Sequence, residues 1–473
     1  MDVMSLQVFN TLSRTKETFV PFRGPRVNMF VCGITPYDYT HVGHARTYVA
    51  FDVVARYLRH RGFSVFYVQN VTDVDDRIVT RSAESGTPWD ELGTRFMEDY
   101  LETMRLLRVT SVNLYARATE YIPEIIEQIS GLVENGFGYQ VDGDVFYEVG
   151  RYPSWGQLSR VNQEKLRPGA RVEVDKRKRD PRDFALWKAE KPGEPTWDSP
   201  WGPGRPGWHI EDTAITIAHF GPQYDIHGAA TDLIFPHHEA EIAQAEAFTG
   251  VTPFVKYWMH GGFVVTKGER MGKSLGNTVP VRAALDRVNP EVLRFFLVNT
   301  QYRGPIDFTF DALDEAQSAY ARLTEALGRA RNEIADAPKG KAKGDSDLRK
   351  ALKRAAEAFR RAMDDDFNTR EALGALFQLT SGFNAAVEEG LSRQTLQRYL
   401  DAFDLYGRIL GLFHTPASAS SEMLQGLMRL LVGLREKARE KGDFETSDRL
   451  RKGLGDLGIE LQDTSKGSRW RLT

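Results

Sequence analysis

The chain has 473 residues, which is too long for one hydrophobic core, and at roughly 150 residues per domain it predicts about three domains. Hydrophobic residues make up 41% of it and charged residues 27%, a composition that is typical of a folded protein and excludes a disordered or collagen-like chain. The net charge of -3 excludes nucleic-acid binding through bulk positive charge, although a local basic face is compatible with it.

The first predicted unit is a βαβ crossover. Residues 28–31 are predicted to form a strand, residues 45–61 a helix that ends at Gly62, and residues 63–71 a second strand. Strands joined in this way run parallel, so we predict an α/β fold with a Rossmann-type parallel sheet. Such a sheet binds ligands at the carboxyl ends of its strands, where the loop 32–44 would lie.

A segment of different composition follows and is predicted to be an insertion into this fold. Residues 120–134 have the pattern of a helix, and residues 139–149 that of a hairpin that turns at Asp142-Gly143. Residues 192–206, near the end of the insertion, are rich in Pro, Gly and Trp.

The first fold is predicted to resume after this insertion. Strand-like patterning covers residues 208–217 and 224–226, and residues 236–248 have a helical pattern. Asn289 followed by Pro290 is typical of the start of another helix, with asparagine as the cap and proline in the first turn.

The rest of the chain is predicted to be mainly helical. The helical pattern begins beyond Phe310, is interrupted by a Lys- and Gly-rich loop at 337–346 and continues to about residue 412. A linker is predicted at 415–421 and a short strand at 459–462. The domains predicted from these changes are a parallel-sheet domain (1–118 and 206–308), a connective insertion (119–205), a helical stem domain (309–414) and a small C-terminal domain (422–473).

The motif H-V-G-H at 41–44 is the first that points to chemistry. It lies between a strand and a helix, and a helix amino end offers unpaired N–H groups and a partial positive charge to phosphate. Gly43 lets the backbone approach a ligand, and the imidazoles of His41 and His44 can donate to phosphate oxygens. The alternative is a pair of histidines that only cap the helix.

The motif R-M-G-K-S at 270–274 is the second. Gly272-Lys273-Ser274 resembles the end of a Walker A loop, but Lys267 stands where that motif needs glycine, which excludes a phosphate-loop ATPase. A glycine-rich loop that delivers Lys273 to developing phosphate charge is compatible with the sequence. A solvated surface loop is equally compatible with it.

Four further residues have side chains that can bind a metal. His237 and Glu241 are four apart on a predicted helix, so both leave the same face. Cys32 lies at a strand end, and Asp212 lies within 208–217. All four residue types ligate zinc. The alternative is a buried cysteine, a histidine at a helix start and two exposed carboxylates.

Taken in order along almost the whole chain, the motifs resemble those of the cysteinyl-tRNA synthetases, a family of class I aminoacyl-tRNA synthetases. H-V-G-H is similar to the family's HIGH signature, and R-M-G-K-S to its KMSKS signature with Arg270 and Gly272 replacing lysine and serine. The other matching stretches are F-N-T-L at 9–12, V-C-G-I-T-P-Y at 31–37, N-V-T-D-V-D-D-R at 70–77, D-F-A-L-W-K at 183–188, S-P-W-G-P-G-R-P-G-W-H-I-E at 199–211, D-I-H-G at 225–228, F-P-H-H-E-A-E-I-A-Q at 235–244, M-D-D-D-F-N-T at 363–369 and the ending G-S-R-W-R.

The resemblance implies ATP-dependent ligation of L-cysteine to tRNA(Cys) through a cysteinyl-adenylate, with Mg²⁺ assisting ATP. It implies catalytic roles for His41, His44 and Lys273. The ATP-binding residues that it implies are His41, Gly43, His44, Asp232, Met271, Lys273 and Ser274, with Asp232 at the ribose. The substrate-pocket residues that it implies are Thr35 and Trp208.

The resemblance also implies one zinc ion, bound by Cys32, Asp212, His237 and Glu241, that selects the substrate thiol. Zinc prefers thiolate to hydroxyl, which would separate cysteine from serine. The family has cysteine where this chain has Asp212, so a softer ligand is replaced by a carboxylate of the same charge. We expect zinc to bind more weakly. The opposing hypothesis is an empty site or a changed amino acid.

The C-terminal segment from residue 422 carries about eleven Lys and Arg against about nine Asp and Glu and is therefore mildly basic. By resemblance it binds the anticodon, with Phe444 and Trp470 available for stacking and Arg449 for phosphates or base edges. The alternative is core aromatic residues with solvated arginines.

Two rival functions are compatible with the same scaffold. One is a ligase that transfers cysteine to an amino-sugar in thiol biosynthesis, and the other is an inactive RNA-binding paralogue. The single cysteine excludes an intrachain disulfide, and the sequence shows neither a membrane span nor a signal peptide. We therefore expect a cytoplasmic enzyme, and a monomer, whose partners are ATP, L-cysteine and tRNA(Cys).

Overall fold

The computed structural model describes residues 5–161, 175–266, 268–272, 276–414, 418–464 and 467–472. The strands in chain order are β1 (Gln7–Asn10), β2 (Thr15–Thr18), β3 (Arg26–Ile34), β4 (Ser64–Val71), β5 (Leu114–Arg117), β6 (Gly138–Val141), β7 (Asp144–Tyr147), β8 (Phe184–Ala189), β9 (Gly204–Pro206), β10 (Tyr224–Ala230), β11 (Val255–Gly261), β12 (Val264–Thr266), β13 (Glu269–Arg270), β14 (Ile306–Asp307), β15 (Ile459–Thr464) and β16 (Gly467–Leu472). The helices are α1 (Val42–His60), α2 (Asp76–Ser85), α3 (Trp89–Leu106), α4 (Ile122–Glu134), α5 (Ile210–Phe220), α6 (Glu239–Thr249), α7 (Val281–Leu285), α8 (Pro290–Val298), α9 (Phe310–Asp336), α10 (Asp345–Asp364), α11 (Thr369–Val387), α12 (Arg393–Leu410), α13 (Ser418–Glu440) and α14 (Phe444–Asp456).

The predicted parallel sheet is present. Its strand order is β11-β10-β3-β4-β5, and every neighbouring pair is parallel. The order reverses beside β3, because the chain moves outward to β4 and β5 on one side and later to β10 and β11 on the other. Ligands bind such sheets at this reversal. The loop after β3, which leads into α1, therefore lies where the sequence placed the site.

The inserted segment forms its own antiparallel sheet, in the order β6-β7-β8-β9. The predicted hairpin turn is confirmed, since Asp142 and Gly143 both have positive φ (49° and 86°) between β6 and β7. This two-residue turn matches the right-handed twist of the strands that it joins.

The strand predicted over 208–217 is wrong, because these residues form most of helix α5. Residues 210–216 are all buried, the polar residues Glu211, Asp212, Thr213 and Thr216 included, so the helix has no solvent-exposed face along this stretch. Because polar and apolar residues are buried alike, their order does not show the helical period, and the β-branched residues in the stretch favour a strand. The strand predicted at 224–226 is confirmed and extends to Ala230.

The predicted helical region is present as α9 to α12, and Asn289 caps α8 as predicted by accepting a hydrogen bond from the Val292 N–H (3.0 Å). The predicted loop at 337–346 ends earlier, at Asp345, where α10 begins. The predicted linker at 415–421 is wrong from Ser418 onward, because the small residues there already belong to α13; residues 415–417 lie outside the described part of the chain. No helix in that part is long and apolar enough to cross a bilayer.

The C-terminal elements have a small hydrophobic core of their own. Met428, Leu454, Ile459 and Leu461 form it, with Trp470 packed against them. The sequence pattern predicted one short strand here, whereas β15 and β16 pair as an antiparallel hairpin. By contrast, one continuous core joins the parallel sheet to helices α8 to α12.

Candidate active site and metal centre

The H-V-G-H motif forms the start of α1. His41 is the N-cap residue, and its Nδ1 accepts a hydrogen bond from the backbone N–H of His44 (3.2 Å). The two imidazole rings stack, with 3.6 Å between their centroids. A Cβ at Gly43 would lie 2.9 Å from the His41 ring, so this position needs glycine. The stacked histidines therefore lie at the positive end of a helix, as phosphate binding requires.

The chain that follows the R-M-G-K-S motif packs directly onto this loop. The Val42 N–H donates to the Val279 carbonyl, and the Val281 N–H donates to the Thr40 carbonyl, both at 2.9 Å. These two hydrogen bonds hold the H-V-G-H loop against residues 279–281, which follow the second motif, although the two segments are more than 200 residues apart in the sequence. Lys273 and Ser274, the motif's predicted ATP contacts, lie outside the described residues.

The described part of the R-M-G-K-S loop is held by its own backbone contacts. Met271 is buried, and its N–H donates to the Val264 carbonyl (2.8 Å). The Asn277 side chain accepts from the Gly272 N–H (2.8 Å) and donates to the Arg270 carbonyl (3.0 Å). These contacts hold the chain at residues 270–272 and 277.

Asp232, the predicted ribose ligand, forms an ion pair with Arg270. Its Oδ2 lies 2.6 Å from an Arg270 guanidinium nitrogen, and both side chains are partly exposed. Asp232 lies in the turn 231–233 after β10, and Arg270 lies on β13. Asp232 thus contacts the R-M-G-K-S loop in this structure.

The four predicted metal ligands lie together. Cys32 comes from β3, Asp212 from α5, His237 from the helical turn 234–238 just before α6, and Glu241 from the first turn of α6; their ligand atoms all lie within 4.8 Å of one another. Cys32 Sγ is 3.4 Å from Asp212 Oδ2, and His237 Nε2 is 3.1 Å from the same oxygen. Asp212 and Glu241 are each only 1% exposed, which contradicts the alternative of two exposed carboxylates.

The chemistry of this cluster fits a bound cation. Glu241 Oε1 is buried without a hydrogen bond, although it lies 3.0 Å from His237 Nε2. Burial, reinforced by the charges of Glu241 and Asp212, raises the pKa of the Cys32 thiol well above its ordinary value. Burial and the charge of Asp212 likewise raise the pKa of Glu241. A divalent ion would compensate these buried negative charges and keep the groups deprotonated.

Asn70 orients the carboxylate that replaces the family's cysteine. Its side-chain amide donates to Asp212 Oδ1, and its Oδ1 accepts from the N–H of Gly33, the residue after Cys32. Asp212 Oδ2 is thereby left facing the thiol and the imidazole. Asp212 can therefore offer one oxygen to a metal, as a thiolate offers one sulfur.

Of the two predicted substrate-pocket residues, the structure places Trp208 against this cluster. The Trp208 ring stacks on the His237 ring, with 4.3 Å between the centroids, so it covers one side of the cluster. Thr35 follows β3 directly, and its carbonyl accepts from the Tyr37 N–H (3.0 Å). A hydrogen bond to His209 also orients the His237 ring, since the Nδ1 atoms of the two residues lie 2.7 Å apart.

The predicted anticodon residues differ in exposure. The Phe444 side chain begins α14 and is 63% exposed, and Arg449 lies exposed on the same helix. Trp470, on β16, is half-buried against the C-terminal core. This packing supports the alternative that Trp470 is a core aromatic residue. The exposure of Phe444 does not support that alternative for Phe444.

Sequence reasoning missed two histidines of the cluster. His227, on β10, and His238, beside His237, both point their Nε2 atoms at Cys32. The pair H-H in F-P-H-H-E was a signal for His238, because residues 238 and 241 are three apart on a helix. Nothing in the spacing linked His227 to the others, since it comes from a separate strand.

Comparison with known proteins gives matches along the whole chain. Residues 18–318 match the family described as "tRNA synthetases class I (C) catalytic domain", and residues 358–414 match the "DALR domain". A cysteine–tRNA ligase from Heliobacterium modesticaldum is 46% identical, over 99% of this chain and 100% of that protein. A cysteine–tRNA ligase from Thermococcus onnurineus is 44% identical, over 99% of each.

Solved structures of other synthetases share the fold. A methionyl-tRNA synthetase from Mycobacterium tuberculosis bound to methionyl-adenylate has a TM-score of 0.59 at 16% identity, and the likeness covers 82% of this chain and 92% of that one. A LeuRS–tRNA–LeuAMS complex from Agrobacterium radiobacter has a TM-score of 0.60 at 10% identity, covering 81% and 84%. At these identities the likeness concerns the fold alone, and the predicted fold class is confirmed.

Proposed function

The chain belongs to the cysteine–tRNA ligase family of class I synthetases and ligates L-cysteine to tRNA at the expense of ATP; from this premise we propose which of its residues do so. The full-length relatives give no support to an amino-sugar ligase or to an inactive paralogue. The observation that carries the proposal is the buried cluster of Cys32, Asp212, His237 and Glu241 under Trp208.

In the first step the cysteine carboxylate attacks the α-phosphorus of ATP. A bond from the carboxylate oxygen to phosphorus forms, the bond to the bridging oxygen breaks, and pyrophosphate leaves. Because His41 Nδ1 accepts from the His44 N–H, a neutral His41 carries its proton on Nε2 and can donate it to a phosphate oxygen. The amino end of α1 adds its N–H groups to the same phosphates.

Lys273 is proposed to neutralise the charge that develops on the leaving pyrophosphate, by its place in the R-M-G-K-S motif. The contacts of Val279 and Val281 with the H-V-G-H loop support this role, because they bring the motif's loop to the phosphates. Asp232 is proposed to hold the ribose, which would require it to exchange Arg270 for the nucleotide. Mg²⁺ is proposed to accompany ATP.

Cys32, Asp212, His237 and Glu241 are proposed to hold one zinc ion. When bound, zinc supplies a soft Lewis acid that takes a thiolate in preference to a hydroxyl. Trp208 excludes water from one side of the cluster, and Asn70 holds Asp212 to a single ligating oxygen. A pocket contact alone separates substrates that differ by one small group only about 10- to 200-fold, so the cluster is what refuses serine and alanine.

The second step transfers cysteine to the terminal adenosine of tRNA(Cys). We propose that α14 contacts the anticodon through Phe444 and Arg449, which are exposed, and that Trp470 supports the fold of this region and stacks only secondarily. We expect the enzyme to act as a monomer and in the cytoplasm, where its tRNA substrate is charged.

Aminoacylation with cysteine and with serine, with zinc measured in the same preparation, tests this proposal. The wild-type protein should contain stoichiometric zinc and charge cysteine only. Cys32→Ser should lose both the zinc and the charging, while Ser13→Ala, which lies outside the cluster, should keep both. A zinc-free wild-type protein that still refuses serine would refute the role of the cluster.

A further inference from the structure

Cys32 and Glu241 belong to a second set of four buried side chains. His227 from β10 and His238 from the start of α6 complete this set, and its ligand atoms also lie within 4.8 Å of one another. Cys32 Sγ is 3.1 Å from His227 Nε2 and 3.3 Å from His238 Nε2. In a tetrahedral zinc site with ordinary bond lengths a thiolate sulfur and an imidazole nitrogen lie about 3.5 Å apart. An increase of a few tenths of an ångström in the two sulfur-to-nitrogen distances would therefore give this set the spacing of a metal site.

Both histidines are oriented as metal ligands usually are. His227 Nδ1 lies 2.6 Å from the Tyr224 hydroxyl and 3.4 Å from Oε2 of Glu241, itself a member of the set, and His238 Nδ1 lies 2.8 Å from His260 Nε2. His260 is held in turn by Thr11, whose hydroxyl lies 2.7 Å from His260 Nδ1. If each Nδ1 carries the proton in these contacts, each Nε2 presents its lone pair to Cys32. Such outer partners fix the tautomer and the ring orientation of ligating histidines.

We propose that Cys32, His227, His238 and Glu241 form a second position for a divalent transition-metal ion, overlapping the first. The two positions share Cys32 and Glu241, so one ion occupies one position at a time. This inference rests on the proposed metal centre but adds a site to it. The second set offers two imidazoles where the first offers one imidazole and the Asp212 carboxylate.

The donor atoms of the two positions decide where the metal ion binds in this chain. A thiolate with two imidazoles suits Zn²⁺ and Co²⁺, so once position 212 has lost the family's thiolate the second position competes with the first for the ion. An ion bound by His227 and His238 would not need Asp212 or His237, the two ligands on the side of the cluster that Trp208 covers. The ion would then be bound without selecting cysteine.

Co²⁺ titration of the full-length, metal-free protein tests this inference. The double variant Asp212→Ala/His237→Ala lacks two ligands of the first position and should still bind one Co²⁺ with a thiolate-to-cobalt charge-transfer band, within about tenfold of the wild-type affinity. Adding His238→Phe to that variant should abolish the band. Adding His219→Ala instead, a histidine outside the cluster, should leave the band unchanged.

The outcomes separate the two proposals. A folded double variant that binds no Co²⁺, while the wild-type protein does, refutes the second position alone. A wild-type protein that binds no Co²⁺ refutes the metal centre and the second position together. If the double variant does not fold, the single variant Asp212→Asn takes its place. X-ray absorption should then show one more imidazole ligand on the Co²⁺ of this variant than on the Co²⁺ of the wild-type protein. An unchanged number of imidazole ligands contradicts the inference.

Discussion

At the scale of single residues, the cluster depends on how a carboxylate replaces a thiolate. Asp212 has the charge of the cysteine that the family carries at this position, but it is a harder ligand and has a second oxygen. Asn70 engages that second oxygen, so the geometry of a one-atom ligand is kept. The replacement therefore keeps the charge of the ligand and its single ligating atom, and only the softness of the ligand is lost.

Restoring the thiolate should strengthen zinc binding. We expect Asp212→Cys to raise the zinc affinity about 10- to 100-fold, because two thiolates suit zinc better than one thiolate and one carboxylate. Competition with a chromophoric chelator measures the change. Thr216→Cys adds a thiol one turn later on α5 and should have no such effect. Equal affinities of wild-type and Asp212→Cys proteins would show that Asp212 does not ligate the ion.

Gly33 is required by a close approach of two strands beside the cluster. A Cβ at this position would lie 1.6 Å from the Asn70 carbonyl oxygen, which is backbone and cannot move aside alone. We expect Gly33→Ala to lower the free energy of unfolding by about 3 kcal/mol or to prevent folding, as severe overpacking does. Urea unfolding measures this. Gly150→Ala, where a Cβ meets nothing within 4 Å, should change stability little, and equal effects of both substitutions would contradict the argument.

At the scale of elements, the sequence predicts what depends on neighbours along the chain and misses what depends on packing. The His237–Glu241 pair was predictable because one helix turn sets it, and Cys32 because it lies near the carboxyl end of a parallel strand. Helix α5 was not predictable, because residues 210–216 are buried whether polar or apolar, and the sequence therefore lacks the periodic polar face that reveals a helix. His227 joins the cluster only through the pairing of β10 with β3, which no local pattern encodes.

A buried ion pair joins helices α1 and α8. Asp52 Oδ2 lies 2.6 Å from an Arg294 guanidinium nitrogen, both side chains are at most 1% exposed, and Asp52 also accepts from the N–H groups of Thr110 and Ser111. Arg294 donates further to the Leu410 carbonyl at the end of α12 (2.7 Å). The pair therefore links the parallel sheet's first helix to the helical domain.

Asp52→Asn should leave Arg294 buried without its counter-charge and lower the free energy of unfolding by about 3 to 5 kcal/mol at pH 7. Burial alone would raise the pKa of Asp52, but Arg294 and Arg56 outweigh it and lower the pKa. A lowered pKa contributes stability above the unfolded value near 4 that is lost as the pH falls through the folded value.

Urea unfolding of wild-type and Asp52→Asn proteins between pH 3 and 7 measures this dependence. The difference between them should be constant above about pH 5 and should shrink below about pH 4. Asp314→Asn, which removes an exposed partner of Arg287, should show no measurable difference at any pH. A difference for Asp52→Asn that stays the same down to pH 3 would contradict the ionised pair.

At the scale of the whole molecule, adenylation and tRNA binding depend on two different hydrophobic cores. The core that joins the parallel sheet to the helical domain supports both signature motifs, so a change there is expected to reach the adenylation site. The C-terminal elements close around a separate small core and leave several apolar side chains on their surface, among them Phe444 and Leu457. Substitutions on this surface should therefore leave adenylation unchanged, and among them the loss of the Phe444 ring is the one expected to weaken tRNA binding.

Phe444→Ala tests this separation. Stacking of an aromatic side chain on an unpaired base contributes about 1 to 3 kcal/mol, so the KM for tRNA should rise about 5- to 150-fold. Cysteine-dependent ATP–pyrophosphate exchange and the thermal unfolding temperature should stay at wild-type values, because the side chain is 63% exposed.

Leu457→Ala removes an equally apolar side chain that is 76% exposed and should leave the KM for tRNA unchanged. Trp470→Ala should instead destabilise the C-terminal core that it packs against. A rise in KM that is the same for Leu457→Ala as for Phe444→Ala would point to general surface hydrophobicity and not to base stacking at α14.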